Sequence, residues 1–197
     1  FDTYLAPFVK TDNLNYDQVK KCIESFIYGV NTPSRWGTQA PFSNITLDWT
    51  VPNDLAELPA IVGGKEQDFK YKDCQKEMDM VNKAFIEIMI EGDANGRGFQ
   101  YPIPTYSITK NFDWSDTENN RLLFEMTSKY GTPYFSNYIN SDMEPSDIRS
   151  MSCRLRLDLR ELRKKSGGYF ASAESTASVG VVAFHVPHIA YLAPAAP

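Results

Sequence analysis

Along this chain the spacing of apolar residues switches repeatedly between a helical and an extended period, and that alternation constrains the fold more than any other feature. Residues 12–30 read as an amphipathic helix, with Asp12 or Asn13 as N-cap and Val19, Cys22, Ile23, Phe26 and Ile27 at helical spacing. Thr32-Pro33 ends it, and a polar, punctuated stretch runs on to an extended segment, Ile45 to Trp49. Pro52 to Gly64 reads as irregular surface chain, and residues 66–92 as the longest helix, with Phe69, Met78, Met80, Val81, Ala84, Phe85, Ile88 and Met89 on its apolar positions. After a glycine-rich break at Gly92 to Gly98 comes a strand from Phe99 to Thr109, whose two prolines predict a sheet edge or a distorted entry. Asp116 is expected to cap a helix through Tyr130, and Tyr134 to Ile139 to form a strand. Glu144 to Arg149 reads as a helical turn, and Val179 to Phe184 as a buried strand. Helices alternating with strands in this way predict an α/β fold around a mostly parallel sheet or barrel. One domain is expected over residues 1–192, followed by a low-complexity tail at 193–197.

A length of 197 residues suffices for one well-packed core, and 42% hydrophobic and 13% aromatic residues belong to a globular chain. A formal net charge of −5 and a sequence pI near 5.1 argue against a nucleic-acid surface. No apolar run reaches the roughly 18 residues of a membrane span, and no secretory leader is visible at Phe1-Asp2-Thr3-Tyr4. The missing initiator Met suggests an excised or processed segment. Cys22, Cys74 and Cys153 are widely spaced and odd in number, which is neither a disulfide framework nor a zinc pattern and points to a reducing, cytoplasmic setting. Cys22 and Cys74 read as small core residues of helices. His185 and His188 lack a third ligand nearby, so no metal site is expected from them.

Three stretches bear on function. In Met151 to Arg160 a cysteine precedes a run in which Leu155, Leu157 and Leu159 alternate with Arg154, Arg156, Asp158 and Arg160, the pattern of a strand that can aim a thiol into a cavity. Asn31 to Asn44 crowds small hydroxyls and amides at the entrance of a strand, a chemistry suited to a polyhydroxylated or phosphorylated ligand. Inert packing for the cysteine and an ordinary capped loop for 31–44 are the plain alternatives. Gly92 to Gly98 has no following G-K-[ST], which rejects a P-loop.

Phe1 to Phe8, Asn31 to Trp49, Gly96 to Trp114, Tyr130 to Arg149 and Cys153 to Gly168 together resemble the catalytic subunit of the anaerobic (class III, glycyl-radical) ribonucleoside-triphosphate reductases. The resemblance implies the first half of a ten-stranded α/β barrel carrying the thiyl-cysteine finger loop, and reduction of the ribose 2′-hydroxyl of nucleoside triphosphates by radical chemistry. It implies that Cys153 becomes a thiyl radical and takes the 3′-hydrogen. Glu174 would act as general base on the 3′-hydroxyl, and Met151 would line the same pocket. Thr32, Ser34 and Asn44 would hold ribose and phosphate. The implied cofactors are a glycyl radical, installed by an iron–sulfur, S-adenosylmethionine-dependent activating protein, and a zinc site, both outside this segment. The implied partners are ribonucleoside triphosphates, that activase, a thioredoxin-like reductant suggested by Glu174, and a second copy in the full-length homodimer.

Ala171, Ala173 and Ala177 stand where family members commonly have Gly, and the sequence from Ala183 onward departs from the family's polar strand. On this reading the isolated chain is an internal fragment that does not turn over by itself. A non-catalytic nucleotide-binding or structural fragment of the same barrel is the alternative. A hydrolase using Cys153 fits poorly, since neither histidine forms a nucleophile–base arrangement with it.

Overall fold

A computed structural model describes residues 1–33, 40–141, 148–152 and 155–158. All of these belong to the first of two compact units, Phe1–Asp158, the second being Leu159–Pro197.

The first element is a helix that the apolar spacing did not announce. α1 (Asp2–Thr11) contains Pro7, a residue that removes one intrahelical hydrogen bond and disguises the segment in the sequence. α2 (Tyr16–Asn31) follows. Its N-cap is Asn15, not Asp12 or Asn13: Asn15 accepts from the Gln18 N–H at 3.0 Å while the Gln18 side chain accepts from the Asn15 N–H at 2.9 Å, a complete capping box. Val19, Ile23 and Ile27 face the core as expected, whereas Cys22 is exposed.

β1 (Asn44–Leu47), β4 (Ile103–Ile108) and β5 (Tyr134–Asn137) form a three-stranded parallel sheet in the order β1-β4-β5. β4 is therefore the central strand, and the edge expected from its prolines is corrected. Ile103 donates its N–H to Ser43 at 2.8 Å, on the β1 side. Successive N–H groups of a strand alternate between its two neighbours, so Pro104 falls on the β5 side, where pairing begins only at Thr105 with Tyr134. The missing donor thus sits just before the ladder needs one.

Between β1 and β4 the irregular stretch and the first part of the expected long helix are also corrected. After α3 (Asn53–Ala56), β2 (Pro59–Val62) and β3 (Lys65–Lys70) form an antiparallel hairpin. The two-residue turn Gly63-Gly64 holds φ values of 58° and 76°, which only glycine adopts cheaply, and it forces Lys65-Glu66-Gln67, good helix formers, into a strand. Phe69 lies in β3, and a 3-10 turn, Tyr71–Cys74, with Cys74 buried, leads into α4 (Gln75–Glu91).

α5 (Glu118–Tyr130) precedes β5 and is capped by Thr117, whose hydroxyl accepts from the Asn120 N–H at 3.2 Å. Asp116, the expected cap, instead forms a two-pronged ion pair with Arg121 at 2.7 and 2.6 Å. β6 (Ile148–Ser152) and β7 (Leu155–Asp158) pair antiparallel, so residues 148 and 149 are extended where a helical turn was expected.

One core cluster joins the helices to one face of the sheet. Val19, Ile23 and Ile27 of α2, Val81 and Phe85 of α4, and Leu123 and Met126 of α5 pack with Leu47, Tyr106 and Ile108. The fold is mixed α/β with a parallel sheet covered by helices, the coarser part of the architecture expected from the sequence.

Candidate functional site

Because side chains alternate along a strand, the sheet has a second face. Opposite Leu47, Tyr106 and Ile108 stand Asn44 and Thr46 of β1, Thr105 and Ser107 of β4, and Tyr134 and Ser136 of β5, matched across the strands by the parallel register. Ile103 shares this face, which is otherwise polar and is shielded at the central strand, where Thr105 is 5% exposed and Ser107 2%. The Thr105 hydroxyl and the Asn44 amide nitrogen are buried with no hydrogen-bond partner among the described residues. A buried unpaired polar group costs about 1–3 kcal/mol, and such groups gather where a ligand is to be met.

At the carboxyl ends of the three strands this face opens into a cavity of about 380 Å³. Asp48 and Thr50 beyond β1, Ser107, Thr109 and Lys110 at the end of β4, and Tyr138 beyond β5 line it. The carboxyl edge of a parallel sheet is where α/β proteins place their ligands, because the loops that follow the strands converge there.

The corner after β1 is held from behind. Asp2, fully buried at the start of α1, accepts the backbone N–H of Asp48 at 3.0 Å, that of Trp49 at 3.1 Å and the Asn82 amide at 2.9 Å. The Tyr106 hydroxyl donates to Asn82 at 3.0 Å, tying central strand and corner together. Trp49 sits at φ 67°, a left-handed conformation rare for a bulky residue, and the Asp2 bond keeps it there. The Asp48 side chain accepts from the Thr3 hydroxyl at 2.7 Å. Burial, and then the neighbouring Asp2 charge, push its carboxyl up to about 6, against the lowering effect of the Thr3 hydrogen bond.

Thr32 and Asn44, singled out from the sequence, are not among the described residues that line this cavity. The Thr32 hydroxyl donates to the Tyr28 carbonyl at 2.9 Å, at the end of α2. Next to it, Asn31 clamps the chain before β4, donating to the Tyr101 carbonyl and accepting the Tyr101 N–H at 3.0 Å. Asn44 opens β1, at the amino end of the strand whose carboxyl end meets the cavity. Met151 lies in β6. Ser34, Cys153, Glu174 and the alanines at 171, 173 and 177 lie outside the described residues. In the glycine-rich break the Asp93 carboxylate accepts the Asn95 and Arg97 N–H groups at 2.8 and 2.9 Å.

Sequence reasoning missed Asp48, Ser107, Thr109 and Lys110. The signal was present as a polar alternation, Thr46-Asp48 on one strand and Thr105-Ser107-Thr109 on the next, out of phase with the buried Tyr106 and Ile108.

The sequence matches the family model of the anaerobic ribonucleoside-triphosphate reductases over residues 1–196. The chain belongs to that family. No curated protein matches it. Membership in the reductase family implies anaerobic reduction of ribonucleotides and a nucleotide as substrate, and a shielded polar sheet face suits such a ligand. Among the described residues no helix is long and apolar enough to cross a membrane.

Proposed function

We propose that this chain is the part of an anaerobic ribonucleoside-triphosphate reductase that carries the thiyl cysteine and one wall of the substrate chamber. The family match over residues 1–196 carries this reading. The three-stranded parallel sheet would be part of a ten-stranded barrel, with its polar face turned inward and its helices outside.

In this reading Cys153 takes the 3′-hydrogen of the ribose as a thiyl radical, while Glu174 receives the proton of the 3′-hydroxyl. Sulfur suits the role because an S–H bond is weak enough for the hydrogen to be returned. Met151 lines the pocket, and Thr32, Ser34 and Asn44 face the ribose and phosphates. The unpartnered amide nitrogen of Asn44 supports a ligand-facing role for that residue. Radical supply is assigned to a glycyl radical and its activating protein, structural support to a zinc site, both outside these residues. Electrons would come from a thioredoxin-like protein, and the full-length enzyme would be a homodimer in the cytoplasm.

Cys153→Ser tests the assignment in a chain restored to full length and activated anaerobically. Deoxyribonucleotide formation is expected to vanish while nucleotide binding and the unfolding midpoint stay unchanged. Turnover equal to that of the parent enzyme would refute the role of Cys153.

A further inference from the structure

The cavity at the carboxyl ends of the strands differs in chemistry from the Asn31–Asn44 loop. Among the described residues its charged lining is two carboxylates, Asp48 and Asp54, against one ammonium, Lys110. A phosphate there would meet more negative than positive charge at contact distance, where the Coulomb term is largest. A hydroxyl donor would meet the opposite: an ionised carboxylate accepts from O–H groups in short, strong bonds. Asp48 is preset for this: it lines the cavity, its Oδ2 takes the Thr3 hydroxyl, the Asp2 network fixes the backbone beneath it, and among the described residues its Oδ1 has no hydrogen-bond donor. Val51 and Pro52 give the lining an apolar part beside the hydroxyls of Thr50, Ser107 and Thr109. The volume, about 380 Å³, is at the lower end of the range for small-molecule pockets. One pair further along the same face lies the buried, unpartnered Thr105 hydroxyl.

We propose that this cavity takes the ribose of a nucleoside, with Asp48 accepting its vicinal hydroxyls. The inference rests on the reductase reading and refines it, because it moves the ribose from the Asn31–Asn44 loop to the other end of β1. Four residue-to-residue steps of extended chain carry Asn44 to Asp48, about 13 Å at roughly 3.3 Å per step. That span lets a triphosphate lie along the polar face towards Asn44 while the sugar occupies the cavity.

The test is anaerobic calorimetry on the whole chain with cytidine, 2′,3′-dideoxycytidine and CTP, repeated on Asp48→Asn. Cytidine is expected to bind saturably and the dideoxy analogue at least about tenfold more weakly, since a site built to pair hydroxyls rejects a ligand that lacks them. Asp48→Asn is expected to weaken cytidine and CTP by a similar factor. Equal affinity of parent chain for cytidine and its dideoxy analogue overturns the proposal, and that comparison does not depend on the variant's folding. CTP binding that is saturable and indifferent to Asp48→Asn overturns the cavity assignment and leaves the reductase reading standing. Binding of none of the three by a folded chain overturns both.

Discussion

Asp48 is kept at a thermodynamic disadvantage in the folded chain. Its carboxyl rises from 3.8 to about 6, so the native state holds this proton more tightly than the unfolded state does. The sign follows: the contribution to stability is fully present below about pH 4 and is lost as pH rises through about 6. Above that, the ionised group opposes folding, with an upper bound set by about 1.4 kcal/mol for each pKa unit gained. Asp48→Asn, which cannot ionise, is therefore expected to raise stability by about 1–2 kcal/mol at pH 7.5 and to show no advantage at pH 4. Urea unfolding at the two pH values reads this directly, and an equal effect at both would show that burial does not govern Asp48. A group that opposes folding and yet lines a cavity is the usual signature of a residue kept for a ligand. The sequence displayed Asp48 in plain alternation with Leu47 and Thr46, but what raises its significance, Asp2 and Thr3 from a helix 45 residues away, is a tertiary fact.

At the scale of elements, periodicity located α2, α4, α5 and the three strands of the parallel sheet, and the three helices, β1 and β4 each bury one face against the same core. It failed where local chemistry outweighed composition. Lys65 to Lys70 carries helix-forming residues, yet the Gly63-Gly64 turn returns the chain on itself and the hairpin with β2 wins. Reading the glycine pair before the propensities would have found it. Capping was misjudged for a similar reason: Asp116 and Thr117 are both good caps, and geometry alone chooses between them. With Arg121 in reach, Asp116 satisfies itself in an exposed ion pair, and the helix start falls to Thr117. Thr117→Ala is expected to lower stability by about 1 kcal/mol, whereas Asp116→Ala changes it by less than about 0.5 kcal/mol. Chemical denaturation of the two variants checks the order, and the reverse order would return the cap to Asp116.

For the whole molecule the open question is what closes the sheet. A parallel sheet needs cover on both faces, and helices supply it on one. The other face is polar and is shielded at the central strand β4, and among the described residues the outer strands β1 and β5 flank β4 without pairing to each other. Tyr134 and Phe135 on β5 are 38% and 40% exposed, and Phe124 of α5 is 48% exposed. In a complete barrel, as proposed, β5 would run on into a further strand. Among the described residues no strand pairs with the outer side of β5, and its backbone groups and aromatic side chains form a surface suited to pairing. Among the described residues the sheet ends in two edges that differ, β1 at one side and β5 at the other, and such edges make head-to-tail contacts that do not close at a dimer. The chain, 22.4 kDa as a monomer, is therefore expected to show a mass that climbs with concentration on the order of 10–100 μM in light scattering. Phe135→Lys, which sets a charge on the edge strand without touching the cavity, is expected to bring the mass back to the monomer value. A parent chain that stays monomeric across that range would mean that β5 is already covered.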